Sequence, residues 1–99
     1  MELKGYQRKY LRSLAHNLKP TVFIGKNKFT SGVLSSIEDS FVNNELIKIK
    51  IFNKDNHDII INAISSKSNC DIVGSIGKII IAYKENVDPD KRKIILPNK

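Results

Sequence analysis

The feature that most constrains the fold is the alternation of longer segments of helical periodicity with short apolar runs. A segment with apolar side chains every three or four positions precedes each of the first three short runs, and a fourth run follows the third closely. Strands separated by helices need crossover connections, so they pair in a mixed sheet on which the helices pack. We therefore predict an α/β fold in the order α-β-α-β-α-β-β, with a mixed sheet of about four strands and about three helices.

A first amphipathic helix is predicted from Leu3 to Leu18, where apolar residues recur mostly three or four positions apart. At about 100° per residue, one flank of this helix carries a basic stripe formed by Lys4, Arg8 and Arg12. Pro20 ends the helix, because a residue that precedes proline, here Lys19, is driven out of the helical region. We expect the tyrosines of this segment to pack in the core rather than to stack on bases; they are Tyr6 and Tyr10.

The stretch TVFIGKNKFTSGV, residues 21–33, is typical of a short strand, a glycine loop and the start of a second helix. The strand, residues 21–24, is predicted to be buried on both faces. Thr30 is expected to cap the helix, and residues 43 and 44 to end it. The N-terminus of a helix carries unpaired N–H groups and the positive end of the macrodipole, so this unit suits an anion such as phosphate.

Gly25 opens the loop, and without a Cβ atom it lets the backbone turn sharply and approach a phosphate closely. Lys26 and Lys28 add positive charge beside the helix start. The loop matches neither a P-loop nor a dinucleotide-binding pattern. From the loop alone, a phosphate site and an ordinary turn with solubilising lysines are equally good interpretations.

The second half of the chain supplies the remaining elements. Residues 46–52, LIKIKIF, alternate strictly, which predicts a strand with isoleucines on one face and Lys48, Lys50 and Phe52 on the other. A third helix is predicted over residues 55–68, and a strand pair over residues 71–83 with a turn at Gly77 and Lys78. From about residue 86 to 99 we expect a loosely packed segment, with a final edge strand over residues 94–97. All 99 residues are assigned to a single domain.

No residue pattern indicates catalysis. The two histidines, His16 and His57, and the one cysteine, Cys70, form no local nucleophile–base signature. Glu38 and Asp39 are adjacent, so on a helix they point in different directions. One cysteine and two distant histidines also fall short of a zinc ligand set. We therefore expect no enzymatic activity, no metal and no cofactor.

The charge balance favours a polyanionic partner. Seventeen Lys and Arg residues against 10 Asp and Glu give a formal net charge of +7.

The single cysteine cannot form an internal disulfide, and no apolar segment precedes the first charged residues. No apolar run approaches the ~20 residues that a membrane helix needs. The expected protein is a cytoplasmic monomer with no membrane contact.

Four stretches carry a family resemblance: residues 11–41 (LRSLAHNLKPTVFIGKNKFTSGVLSSIEDSF), 45–51 (ELIKIKI), 77–84 (GKIIIAYK) and 91–97 (KRKIILP). Together they resemble the CRM domain (chloroplast RNA splicing and ribosome maturation) in its compact bacterial stand-alone form, the YhbY family. The resemblance implies a fold similar to the C-terminal domain of bacterial translation initiation factor three. It also implies RNA binding, through association with the precursor of the large ribosomal subunit.

The loop of this family is a GxxG, like the KH loop that clamps the nucleic-acid backbone. Gly25 matches its first glycine, and Lys26 and Asn27 match the middle pair. Lys28 stands where the second glycine belongs. If that position requires a positive φ, lysine costs on the order of 1 kcal/mol relative to glycine.

The sequence thus predicts an RNA-binding protein that contacts structured large-subunit rRNA through the phosphate backbone and helps to assemble the subunit. Two alternatives stay open: a basic docking adaptor with incidental affinity for nucleic acid, and a double-stranded DNA-binding protein, for which no helix-turn-helix or zinc-finger pattern is present. The expected RNA-contacting residues are Lys4, Arg8, Arg12, Lys19, Gly25, Lys26, Asn27, Lys28, Thr30, Lys48 and Lys50.

Overall fold

The computed structural model describes residues 3–25, 30–52 and 57–97, and its elements follow the predicted order. The elements are α1 (Gly5–Ala15), β1 (Val22–Ile24), α2 (Ser31–Asn43), β2 (Leu46–Ile51), α3 (His57–Ser68), β3 (Asp71–Ile76), β4 (Ile79–Tyr83) and a short 3₁₀ turn (Pro89–Lys91). The predicted α/β fold with a four-stranded mixed sheet is confirmed. Within the described ranges, every helix is too short or too polar to cross a membrane.

The strand order in the sheet is β1-β2-β4-β3, so β1 and β3 are its two edges. β1 runs parallel to β2, with Phe23 beside Lys50, whereas β4 is antiparallel to both of its neighbours. The β3–β4 connection turns at Gly77, whose φ of 59° lies in the left-handed region that glycine adopts without strain. The predicted strand pair and its turn are therefore confirmed.

One face of the sheet is covered by α2 and α3. As predicted, Thr30 caps α2: its hydroxyl accepts a hydrogen bond from the Val33 N–H at 3.2 Å. The core on this face combines the inward sides of both helices with every second residue of the strands, and Ile37, Ile49 and Ile64 are fully buried in it. The first two residues of the predicted third helix, 55 and 56, lie outside the described residues.

The opposite face is covered by α1 and by the segment that follows β4. Leu11 and Ala15 of α1 pack with Tyr83 of β4 in a second core, against which Ile94 and Leu96 also lie. α1 contacts β3, β4 and β2. The β1 side of this face stays open, as the 65% exposure of Phe23 shows.

Two packing predictions for the first half of the chain are wrong. β1 is buried on one face only, because it is an edge strand and Phe23 lies on the face where α1 covers the other strands. Tyr10, which was expected in the core, is 38% exposed. The predicted end of the helix is also wrong, because α1 ends at Ala15 and not at Leu18. The buried stripe of α1 is centred on Leu11 and Ala15, about 100° round the helix from Tyr10, and the small Ala15 lets the helix approach the sheet.

The segment after β4 is anchored by Glu45, which is only 5% exposed. Its carboxylate accepts hydrogen bonds from the backbone N–H groups of Asn86 at 2.9 Å, Lys93 at 2.8 Å and Ile94 at 3.0 Å. The edge strand predicted over residues 94–97 is wrong: these residues form no strand, and the N–H of Ile94 bonds to the Glu45 side chain.

Candidate nucleic-acid interface

The open part of the sheet is the side of the β1–β2 pair that faces away from α2 and α3. Val22 and Ile24 of β1 are buried beneath those helices, so Phe23 points to the opposite face. The alternation predicted for β2 is confirmed in the same way: its isoleucines are buried, Lys50 is exposed and Lys48 is half-buried. Phe23 and Lys50 are direct neighbours across the parallel pair.

Hydrogen bonds extend this pair beyond both strand ends. The Thr21 N–H donates to the Lys48 carbonyl at 3.1 Å, and the Phe52 N–H donates to the Ile24 carbonyl at 2.9 Å. Because alternate residues of a strand share one face, Lys48, Lys50 and Phe52 follow one another along the open side of β2 and its extension. We call this row, together with Phe23, the open ladder; it runs from the end of α1 to the point where Gly25 leaves β1.

Lys48 is held at one end of the open ladder by the C-cap residue of α1 and the turn that follows it. Its Nζ donates to the backbone carbonyls of Leu18 at 3.0 Å and His16 at 3.5 Å. The C-terminal end of a helix carries unpaired carbonyls and partial negative charge, so a lysine here acts as a cap. A hydrogen-bonded ammonium is less available to a phosphate, so Lys50 is the stronger candidate of the two strand lysines.

The residues of the basic stripe, Lys4, Arg8 and Arg12, do not form one cluster on the open ladder. Arg12 Nη1 donates to the Val73 carbonyl of β3 at 3.1 Å, and its stem lies against Gly74, where an added Cβ would be 2.9 Å from Arg12 Cδ. β3 and β1 are opposite edges of the sheet. The other expected cations of this segment are Lys4, which immediately precedes α1, Arg8, which is half-buried, and Lys19, which is exposed between α1 and β1.

Gly25 is exposed at the far end of the open ladder, and Thr30 caps α2 five residues later. The φ of Gly25 is outside the left-handed region, and among the described residues nothing lies within 4 Å of the Cβ that another residue would carry. Neither backbone conformation nor internal packing therefore demands glycine here. The expected contacts at Lys26, Asn27 and Lys28 lie outside the described residues, so the role of the GxxG-like loop stays a prediction.

A groove of about 290 Å³ lies at this end of the ladder. Phe23, Lys50 and Phe52 line it together with Gly25 and Lys78. Phe23 is 65% exposed and Phe52 is 54% exposed. Neither phenylalanine is among the site residues predicted from the sequence. The alternation in LIKIKIF places Phe52 opposite the buried isoleucines, whereas Phe23 has only apolar neighbours in VFI.

His16, His57 and Cys70 are not among the described residues that line this groove. His16 is exposed just after α1, and His57 opens α3, where its Nδ1 lies 3.6 Å from Asp58 Oδ1. Cys70 is buried in the core between the sheet and α3, and burial, reinforced by the negative charge of Asp71, raises the pKa of its thiol to about 11. Over residues 3–25, 30–52 and 57–97, His, Cys, Asp and Glu side chains form no group of three that could hold a metal ion.

The family model of the CRS1 / YhbY (CRM) domain matches residues 3–84 of the chain. The chain is 39% identical over 99 residues to an RNA-binding protein of Haemophilus influenzae, with 98% of this chain and 97% of that protein covered. It is 32% identical over 98 residues to the probable RNA-binding protein YqeI of Bacillus subtilis, with 96% and 99% covered. The solution structure of a candidate RNA-binding protein of Staphylococcus aureus superposes with a TM-score of 0.81 at 34% identity, covering 97% of this chain and all of that one.

Proposed function

The chain belongs to the CRS1 / YhbY (CRM) domain family, and from this premise we propose that it is an RNA-binding protein. In this proposal it contacts structured rRNA of the large-subunit precursor through the phosphate backbone and assists assembly of the subunit. It acts as a cytoplasmic monomer without a cofactor and without catalytic activity. The names of its relatives support RNA binding in general.

The observation that carries the proposal is the position of Lys50. Its ammonium group is exposed in the middle of the open ladder, between the end of α1 and the start of the Gly25 loop. A phosphate chain laid along this row would meet Lys50 and then reach Gly25, from which the chain leads to the N-terminus of α2. Contacts of this kind fix position on an RNA without reading its sequence.

Binding of the purified protein to large-subunit rRNA fragments over a salt series tests the proposal. Phosphate contacts release counterions, so the logarithm of the binding constant should fall linearly with the logarithm of salt concentration. Matched double-stranded DNA of the same length is the control, and we expect it to bind more weakly. The absence of measurable RNA binding near physiological salt would favour a protein-docking adaptor, and equal affinity for both duplexes would favour a general duplex binder.

Association with the ribosome precursor needs a separate experiment in cells. Lysate is fractionated on a sucrose gradient, and the protein is followed across the free, large-subunit and mature ribosome fractions. We expect co-sedimentation with large-subunit precursors and ultraviolet crosslinks to one rRNA region. Sedimentation only at the top of the gradient, in a strain where the purified protein binds RNA, would remove the ribosomal part of the proposal and leave RNA binding intact.

A further inference from the structure

We propose that Phe23 and Phe52 form a stacking site for unpaired bases, with Lys50 and Lys78 binding the adjoining phosphates. The proposal deepens the proposed function, on which it rests, because it assigns a class of RNA to the groove at the end of the open ladder. That class is a single-stranded segment, such as a loop or a bulge, with one or two bases turned out of their stack.

Exposure alone does not single out the two phenylalanines. Other apolar side chains are as exposed, including Ile76 at 70% and Val87 at 87%, and scattered exposed apolar residues are ordinary on a protein surface. Phe23 and Phe52 differ from these because both line one groove and because lysines line it beside them.

The pairing of the strands brings the two rings into reach of one ligand. Phe23 is beside Lys50, and Phe52 is two residues further along the same strand as Lys50, on the same face. With paired strands about 4.8 Å apart and a rise of about 3.3 Å per residue, the Cα atoms of such diagonal neighbours are roughly 8 Å apart, within reach of aromatic side chains. A flat ligand lying over Lys50 can therefore contact both rings.

The lining of the groove determines the chemistry of that ligand. Besides the two aromatic rings it has two cationic side chains, Lys50 and Lys78, and none of its described lining residues is acidic. A ligand that matches it has a flat π-surface and a negative charge next to it, which describes a nucleotide. A base inside a duplex presents its faces only to its stacked neighbours, so the groove favours unpaired nucleotides.

The size of the groove limits how many bases it takes. At about 290 Å³ it lies at the lower end of the range for small-ligand sites, which suits one or two bases and not a long stacked run. Base stacking in the groove then adds one local contact to the phosphate contacts along the open ladder.

Leucine variants test the stacking directly. Phe23→Leu and Phe52→Leu keep apolar bulk but remove the ring, and we expect each to weaken binding of a single-stranded oligonucleotide by about tenfold. Binding of a fully paired RNA duplex should change less than twofold. Tyr10→Leu is the matched control, since Tyr10 is an exposed aromatic of α1 that does not line the groove.

A tryptophan probe keeps the test independent of how well the leucine variants fold. The chain has no tryptophan, so Phe23→Trp introduces one fluorophore into the groove. We expect an unpaired oligonucleotide to quench its emission and an abasic oligonucleotide of equal length to bind without quenching. If the native protein binds RNA but the leucine variants match it and the probe is not quenched, the stacking site is refuted while RNA binding stands. If no RNA binds at all, both proposals fail.

Discussion

Lys48 Nζ donates to the backbone carbonyl of Leu18 at 3.0 Å and to that of His16, the C-cap residue of α1, at 3.5 Å, so a strand residue binds the chain where it leaves the first helix. This contact joins α1 to β2 at the beginning of the open ladder. The two lysines on the open side of β2 therefore have different roles: Lys48 stabilises the fold, whereas Lys50 faces solvent.

Replacement of Lys48 by methionine should therefore affect stability. Loss of a cation at a helix C-terminus costs about 0.3–1 kcal/mol, and we expect the free energy of unfolding to fall by that amount. Urea denaturation followed by circular dichroism measures it. A larger loss of RNA affinity in Lys48→Met than in Lys50→Gln would show that the capping assignment is wrong.

Replacement of Lys50 by glutamine should weaken RNA binding with little change in stability, because an exposed lysine contributes little to folding. The salt slope of the binding constant should become shallower by about 0.7–1, the value for one lost phosphate contact. Lys67→Gln on α3 removes the same charge from an element on the opposite face of the sheet and serves as the control. Equal slopes for the two variants would exclude Lys50 from the RNA surface.

The Glu45 anchor predicts a pH dependence. Burial by itself would raise the pKa of Glu45, but hydrogen bonds from three backbone N–H groups, together with the charge of Arg92, outweigh it and lower the pKa below its ordinary value of 4.5. A carboxyl with a lowered folded pKa contributes stability above pH 4.5 and loses it as pH falls through the folded-state value.

Glu45→Gln should accordingly be less stable than the native protein at neutral pH, by about 1–3 kcal/mol, and the difference should narrow in acid. Hydrogen exchange of the amides of Lys93 and Ile94 reports the same event locally. We expect their protection to drop in the variant and, for the native protein, to drop as the pH is lowered below 4.5. Protection that does not depend on residue 45 would contradict the anchorage.

Cys70 should be inert in the folded protein. Its buried thiol has a pKa raised from 9.0 to about 11, and the thiolate is the reactive form. We expect a thiol reagent at about pH 8 to modify it slowly in the native state and rapidly in urea. Rapid modification without denaturant would show that the core between the sheet and α3 opens readily.

The order of the elements could be predicted from the sequence because each element has its own hydrophobic periodicity or a residue that marks its end. Examples are the strict alternation in β2 and the Thr30 cap of α2. It was insufficient where burial depends on a distant element. Phe23 belongs to an apolar run, and only the position of α1 over the other strands decides that one side of β1 stays open. Likewise, Arg12 is recognisable as a basic residue, but its hydrogen bond to Val73 follows from the packing of α1 on β3.

The two edges of the sheet differ from the long, regular edge strands that favour strand addition between molecules. β1 is three residues long, and β3 is irregular between Ile72 and Gly74. A short strand and a bulged one each offer a poor template for an added strand, so neither edge favours growth of the sheet from one molecule into the next. Phe23 and Phe52 are therefore exposed at a sheet edge that is itself a poor place to add a strand.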